Sequence, residues 1–324
     1  MFPAGIVEPV RAPVRRGPRI GLALGGGSAR GWAHIGVIEG LEEAGIYPEV
    51  VAGCSIGAVV GGCYAAGKLD VLTAFARSLT KRRVMGLLDV RLSGSGIIGG
   101  RRLRKHLERD LAGRDLDSLP IRFASVATEL GTGHEVWLTR GALVESLRAS
   151  YALPGIFPPV ALGGRLLMDG TLVNPVPVSL ARALGAEMVI CVNLNCDPRV
   201  RSGRVIEPED ETLAAIASEV VEERRWRFLR AMGGGRFLSS RRDEGPRAPG
   251  IGRVMFDAFN ITQDRISRAR LEQHPPDVAI APKLADMGQF EFHRAGEAIA
   301  LGRQAARAAL PRIRAALEGA EARA

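Results

Sequence analysis

The sequence predicts a three-layer α/β/α domain with a central, mostly parallel sheet. An apolar run at 19–24 ends in three consecutive glycines, and apolar residues at helical spacing follow over 32–44. The same order recurs in a run at 49–52, a glycine turn at Gly53 and an apolar helix over 56–66. Two strand–helix units in succession imply a parallel sheet covered by helices, with the functional site at the strand carboxyl ends.

The composition favours this class over an all-β sandwich. The 324 residues are 46% apolar and include 40 glycines, whereas only 5% are aromatic. A chain of this length can bury a full core, here built from small aliphatic residues with many tight turns. The remaining strands are expected at 121–127, 135–138, 165–168, 187–194 and 277–281. The remaining helices are expected at 69–79, 101–111, 254–271 and 291–317.

Changes in composition divide the chain into four segments. Residues 1–18 are expected to form a flexible leader, and 19–197 the main core. Residues 198–253 are charged and rich in Gly and Arg, which predicts a partly disordered insertion with one helix at 211–230. Residues 254–324 are expected to complete the same domain as the core.

The net charge of +9 does not indicate a nucleic-acid partner, because the arginines are scattered and no basic stripe carries interleaved aromatics. A basic surface also suits anionic lipid headgroups, so peripheral contact with the inner membrane surface is compatible with this charge. The four cysteines lack metal-ligand spacing and indicate free thiols in a reducing compartment, which favours the cytoplasm. They are Cys54, Cys63, Cys191 and Cys196.

The segment Gly53-Cys54-Ser55-Ile56-Gly57 is a GxSxG pattern between a predicted strand and a predicted helix. This context suits a nucleophilic serine, because a sharp turn lifts the hydroxyl above the sheet and the helix N-terminus stabilises negative charge. The alternative is a structural glycine turn with a serine helix cap. Ser55 is the candidate nucleophile.

A second glycine turn, GGGSARG at 25–31, follows the first predicted strand. Gly25, Gly26, Gly27 and Ser28 would present successive backbone N–H groups, which an oxyanion requires. A dinucleotide-binding turn is less suitable, because the third glycine comes one residue too late for GxGxxG. Arg30 is interpreted either as steadying this loop or as meeting an anionic headgroup.

Asp169 follows another predicted strand, in the segment Met168-Asp169-Gly170-Thr171. A serine hydroxyl is a poor nucleophile without a base, and Asp169 would supply one directly if it lies within hydrogen-bond reach of Ser55. Taken alone, an Asp-Gly pair after a strand is usually a turn.

In this order, GGGSARG, GCSIG and DGT resemble the motifs of the patatin-like phospholipases, especially bacterial proteins related to the catalytic domain of neuropathy target esterase. The segments 31–46, 148–160 and 169–186 extend the resemblance, which covers about residues 20–195. It implies a patatin-like fold and hydrolysis of phospholipid, lysophospholipid or simpler acyl esters, without a metal or cofactor.

The resemblance also implies residue roles. Ser55 and Asp169 would form a Ser-Asp dyad, with the oxyanion at the amides of 25–28 and a lipid or acyl ester as substrate. Thr171 departs from the Gly or Ala usual in the family and is expected to narrow the space near the dyad. The apolar, proline-containing loop 153–160 is expected to be core or one wall of an acyl groove. Five further residues would support the motifs: Arg30, Gly31, Gly53, Gly57 and Gly170.

Three alternatives remain open at this point. A Ser-His-Asp triad would use His274 or His293, but Ser55 follows only the second predicted strand, too early for an α/β-hydrolase. His34, on the helix after the glycine loop, is expected to be a packing residue. A patatin-fold scaffold with little turnover, or a peptidase with the same dyad, would share the motifs. No particular oligomeric state is indicated.

Overall fold

The computed structural model describes residues 17–87, 89, 96, 98–195 and 251–322. The chain divides into two compact units, one comprising Met1–Pro198 with Asn260–Ala324 and the other Arg199–Phe259. The first unit contains the whole sheet. The predicted leader before residue 17 and the predicted helix at 211–230 lie outside the described residues, as does most of the insertion.

The described residues contain a mixed sheet of eight strands. The strands are β1 Ile20–Leu24, β2 Val50–Cys54, β3 Arg122–Glu129, β4 Glu135–Leu138, β5 Val160–Leu162, β6 Arg165–Asp169, β7 Met188–Val192 and β8 Val278–Ile280. Their order is β5-β6-β3-β2-β1-β7-β8, and β4 also pairs with β3. Four pairs are parallel: β3–β2, β2–β1, β1–β7 and β7–β8. Three pairs are antiparallel: β3–β4, β3–β6 and β5–β6. The predicted mostly parallel sheet is confirmed.

Helices cover both faces of this sheet. The helices are α1 Ala33–Glu42, α2 Ile56–Ala65, α3 Leu69–Arg77, α4 Lys81–Leu87, α5 Arg101–Leu111, α6 Leu143–Ser150, α7 Val178–Ala183, α8 Ile251–Gln273 and α9 Ala295–Glu321. The larger core cluster joins one face to α1, α2, α3, α5, α6 and α9, and a second cluster joins the opposite face to α7. This arrangement is the predicted three-layer fold.

The central strands are apolar along their whole length because both of their faces are covered. On β1, Leu22 and Leu24 belong to the larger cluster, whereas Ala23 belongs to the second. The second cluster also takes Ala52 from β2 and Ala124 from β3. These small side chains leave room for α7 to lie close to the sheet.

The elements predicted from apolar periodicity are present, with ends shifted by no more than four residues. The patterns did not predict four short elements, namely α4, α6, α7 and β5. The proline-containing stretch is irregular as expected, and Val160 at its end begins β5.

Helices α1 and α9 approach each other closely through glycines. A Cβ built on Gly36 would lie 1.8 Å from the carbonyl oxygen of Ile299, and one built on Gly302 would lie 2.0 Å from that of Ala33. Both distances are shorter than any non-bonded contact, so a side chain at either position would push the helices apart. This contact fixes α1, which directly follows the glycine loop.

We predict that Gly302→Ala destabilises the protein by about 1–3 kcal/mol, because the added methyl group forces a backbone shift in a close-packed interface. Gly296→Ala on the same helix is the control. A Cβ at Gly296 would meet nothing within 4 Å, so this change is expected to be neutral or to stabilise by up to about 1 kcal/mol. Urea unfolding of both variants measures the difference, and equal midpoints would contradict the inferred contact.

Candidate active site

Ser55 occupies the tight turn between β2 and α2. Its φ of 55° and ψ of −123° are strained for a residue with a side chain. The flanking glycines are required by close backbone approach. A Cβ on Gly53 would lie 2.4 Å from Cα of Ala58, and one on Gly57 would lie 2.2 Å from the carbonyl oxygen of Leu24. The GxSxG pattern therefore folds into a turn that places the half-buried Ser55 side chain at the carboxyl end of β2, in the lining of a cavity.

The buried Ser150, at the end of α6, holds this strained turn. The backbone N–H of Ser55 donates to Ser150 Oγ at 3.0 Å, and the Ser150 hydroxyl donates to the carbonyl oxygen of Val126 at 2.6 Å. Ser150 is fully buried. Sequence reasoning did not single it out, and its presence in the segment 148–160 was the only indication available.

Ser55 and Asp169 meet along one edge of β3. The Ser55 hydroxyl donates to Asp169 Oδ2 at 2.6 Å. The sheet register explains the meeting, because Cys54 of β2 lies opposite Val126 and Asp169 of β6 lies opposite Ala127. β4 pairs with the other edge of β3, so the two chemical groups emerge next to each other along the same edge of this strand.

The backbone around Asp169 is fixed at three points. Its N–H donates to the carbonyl oxygen of Ala152 at 2.9 Å, and its own carbonyl accepts from Thr128 Oγ1 at 2.8 Å. Gly170 is required next, since a Cβ there would lie 2.3 Å from the carbonyl oxygen of Val126.

Thr171 binds the other carboxylate oxygen of Asp169. Its backbone N–H and its hydroxyl donate to Oδ1 at 2.9 and 2.7 Å. Asp169 is only 1% exposed. Burial raises the pKa of this carboxyl to about 6, against the lowering effect of the bonds from Ser55 and Thr171. Sequence reasoning considered only the bulk of Thr171 and missed this donor role.

The glycine loop lies against both halves of the pair. A Cβ on Gly26 would lie 2.2 Å from Thr171 Cγ2 and 3.4 Å from Ser55 Cβ. The amides of Gly25 and Gly26, however, already donate to the carbonyl oxygens of two other segments, Val192 and Pro175. Because these two N–H groups are already hydrogen-bonded, the candidate oxyanion donors in the loop are the amides of the next two residues.

Those two amides belong to Gly27 and Ser28. Within the described part of the chain neither of them donates to a protein acceptor. Ser28 also lines the cavity that contains Ser55 and Asp169. An anion beside Ser55 would therefore find two unengaged N–H donors at this point of the loop.

Contacts made by three residues hold the loop in place: His34 of α1, and Arg30 and Gly31 of the loop itself. His34 Nε2 donates to the carbonyl oxygen of Gly25 at 2.7 Å, and burial lowers the pKa of His34 to about 4, so its ring is neutral. Arg30 Nε donates to the carbonyl oxygen of Met287 at 2.9 Å. A Cβ on Gly31 would lie 2.3 Å from Ile56 Cγ1. The loop is thus tied to the nucleophile helix and to the segment before α9.

A cavity of about 200 Å³ leads away from the pair, and apolar side chains line most of it. Ile56, Val59 and Cys63 of α2 contribute one side. Leu153, Ile156 and Phe157 of the irregular apolar stretch contribute another. Its chemistry suits a hydrocarbon chain whose reactive end lies at Ser55.

Within the described residues, no histidine hydrogen-bonds to Ser55 or Asp169, and neither His274 nor His293 lines the cavity. The same residues contain no His, Cys, Asp and Glu cluster that could hold a metal ion. Cys54, Cys63 and Cys191 are buried free thiols, whereas Cys196 lies outside the described residues. No described helix is both long and apolar enough to span a membrane.

Comparison with known proteins assigns the family. The family model described as patatin-like phospholipase matches residues 22–182. An NTE family protein of Mycobacterium tuberculosis is 35% identical in an alignment 330 residues long, gaps included, that covers 90% of this chain and 91% of that protein. The chain belongs to the patatin-like phospholipase family. The resemblance inferred from the three motifs is confirmed.

Two further patatin-like relatives are larger proteins. Another NTE family protein of M. tuberculosis is 29% identical over 91% of this chain and 47% of its own length. The mouse patatin-like phospholipase domain-containing protein 6 is 33% identical over 56% of this chain and 14% of its own length. Membership of this family assigns the chain to the lipid hydrolases.

We predict that Ser150→Ala destabilises this patatin-like domain by about 1–3 kcal/mol, because the buried N–H of Ser55 loses its acceptor. Guanidinium unfolding measures the change. The exposed Ser118 provides the control, because its hydroxyl donates only to the nearby Asp115 carbonyl, and Ser118→Ala is expected to stay within about 0.5 kcal/mol. Equal stabilities of the two variants would contradict the role given to Ser150.

Proposed function

We propose that this protein is a serine acyl hydrolase that cleaves lipid-like carboxylic esters through a Ser55–Asp169 dyad. The observation that carries the proposal is the 2.6 Å hydrogen bond from Ser55 Oγ to Asp169 Oδ2, at one end of an apolar cavity. The strained nucleophile turn and the two unengaged loop amides support it.

Asp169 acts first as general base. It accepts the Ser55 proton while Ser55 Oγ attacks the ester carbonyl, and the resulting oxyanion binds to the amides of Gly27 and Ser28. The carbon–oxygen bond to the alcohol then breaks, and the alcohol oxygen takes the proton from Asp169. Asp169 then deprotonates a water that attacks the acyl-enzyme. The bond between the acyl carbon and Ser55 Oγ breaks, Oγ takes the proton back from Asp169, and the acid is released.

The raised pKa of Asp169 suits this role. A carboxylate with a pKa of about 6 is a stronger base than an exposed aspartate, yet it is mostly ionised at neutral pH. The hydrogen bonds from Thr171 keep the pKa of Asp169 from rising further. By holding Oδ1, they also orient Oδ2 toward Ser55.

The proposed substrate is an amphiphile with a long acyl chain, such as a lysophospholipid. The apolar cavity would receive the chain, and the headgroup would remain outside. The proposed location is the cytoplasm, with peripheral contact at the inner membrane surface. The buried free thiols Cys54, Cys63 and Cys191 support a reducing compartment.

We expect Ser55→Ala to abolish ester hydrolysis and Asp169→Asn to lower it by about 10²–10⁴-fold, because the hydroxyl loses its base. Hydrolysis of p-nitrophenyl esters and labelling by a serine-directed fluorophosphonate measure both effects. Asp117→Asn, an exposed carboxylate removed by the same change, is the control and is expected to retain full activity. Labelling that persists in Ser55→Ala would reject Ser55 as nucleophile.

The leaving group is tested by comparing three substrates with the intact protein: p-nitrophenyl acyl esters, lysophospholipid and casein. Turnover of the first two supports the proposal. Cleavage of casein alone would replace the esterase by a peptidase. A folded protein that hydrolyses none of them and takes no fluorophosphonate would be a scaffold.

We predict that Thr171→Val moves the acid limb of the pH profile of kcat/KM to higher pH by about one unit or more. The carboxylate form is the active base, so activity falls as the pH drops through the pKa of Asp169. Removing a donor to Oδ1 destabilises the charged form, which raises that pKa further.

Thr171→Ser is the matched variant, because it keeps the hydroxyl and removes only the methyl group that lies near Gly26. Its acid limb is expected to stay where the unmodified protein has it. An equal shift in both variants would mean that the hydrogen bond from the Thr171 hydroxyl does not set the titration, and a shift in Thr171→Ser alone would assign it to the methyl contact.

A further inference from the structure

Helices α4 and α5 carry a concentration of positive charge beside the cavity. Together they contain eight Lys and Arg residues against two acidic residues, and α4 contains no acidic residue at all. Seven of the cations are exposed. Arg83 donates to Ser78 and Arg109 pairs with Asp110. The other five are defined here as the basic face: Lys81, Arg82, Arg101, Arg102 and Lys105.

The two helices are held next to each other. Arg102 donates to the carbonyl oxygen of Gly86 in α4, and the backbone N–H of Arg101 donates to Asp89 Oδ2 at 3.1 Å. The basic face is therefore one surface made by both helices, rather than two unrelated clusters.

Much of this charge has no carboxylate partner. In the part of the chain that the structure describes, Lys81, Arg82 and Lys105 form no ion pair. Several arginines elsewhere are paired with carboxylates, as in Arg303 with Glu39. Charge that is not neutralised within the protein remains available to an anionic partner.

The opposite sides of the same helices form the cavity wall. Val84 and Leu87 of α4 and Leu103, Leu107 and Leu111 of α5 line the cavity that contains Ser55 and Asp169. A surface bound by the basic face would therefore lie next to the space proposed for the acyl chain. The adjoining Met85 is an apolar side chain that is 66% exposed, as expected of a residue that enters a lipid interface.

We propose that the basic face and Met85 dock the protein onto an anionic lipid bilayer. Each Lys or Arg near such a surface strengthens binding about fivefold, so a few unpaired cations suffice for reversible attachment. An acidic protein would satisfy the charge but not the exposed methionine beside an apolar cavity. This proposal depends on the proposed function in one respect, namely that the docked bilayer supplies the lipid substrate.

The test uses the full chain and sedimentation with vesicles of phosphatidylcholine, with or without phosphatidylglycerol. We expect binding to the anionic vesicles that weakens steeply with salt, and little binding to the neutral ones. Lys81→Glu combined with Arg82→Glu is expected to weaken anionic binding by at least about 25-fold. Met85→Ser is expected to weaken it further.

The matched control is Arg312→Glu combined with Arg314→Glu on α9, which makes the same charge change at two exposed positions outside the basic face. It is expected to retain most of the binding. Equal loss in the two double variants would mean that net charge alone drives attachment, and binding to neutral vesicles as strong as to anionic ones would also overturn the proposal.

A second measurement separates this proposal from the proposed function. Hydrolysis of the soluble ester p-nitrophenyl butyrate is expected to be unchanged in Lys81→Glu/Arg82→Glu, while hydrolysis of vesicle-borne lysophospholipid falls with binding. If the unmodified protein hydrolyses neither ester but still binds anionic vesicles, docking stands and the hydrolase fails. A loss of the soluble activity in the variant would place Lys81 and Arg82 in the catalytic machinery and overturn their docking role.

Discussion

The hydrogen bond between Ser55 and Asp169 depends on the register of a single strand. β2 and β6 follow each other along one edge of β3, whose other edge pairs with β4, and the last residues of β2 and β6 fall opposite Val126 and Ala127. The Val126 carbonyl also accepts the Ser150 hydroxyl that holds the Ser55 turn. A slip of one residue in either pairing would turn a side chain to the other face of the sheet and break the contact. The site is therefore a consequence of sheet pairing more than of loop conformation.

The electrostatics of the pair balance two opposing effects. Burial disfavours the charged form of Asp169, whereas three hydrogen bonds, from Ser55 and from two donors of Thr171, favour it. The result is a carboxylate that is basic but still ionised near neutral pH. His34 contributes in another way, because its neutral ring holds the Gly25 carbonyl without adding charge near the loop. Among the described residues no Lys or Arg hydrogen-bonds to Ser55 or Asp169, and the unengaged donors of the loop are the amides of Gly27 and Ser28.

The sequence predicted the fold well because the signals were local. Apolar runs ending in glycine turns located β1 and β2, and periodicity located α5 to the residue. The sequence patterns did not predict β5 and α7, because a strand of three residues and a helix of six each hold less than two periods of their own pattern. Within the site, the motifs indicated Ser55 and Asp169, but Ser150 and the occupied amides of Gly25 and Gly26 depend on partners distant in sequence. No spacing rule reveals such contacts.

The cavity and the basic face follow from one amphipathic pattern. In α5 the apolar positions 103, 107 and 111 repeat every four residues and face the cavity, and the basic residues between them face outward. An ordinary surface helix would bury that apolar stripe against a solid core. Here the stripe packs on the core and also borders the cavity that contains Ser55, so the helix separates an apolar interior from a cationic exterior. An amphiphile with an anionic or zwitterionic head meets matching chemistry on both sides of that boundary, whereas a peptide, polar along its whole backbone, would leave its amides unpaired inside.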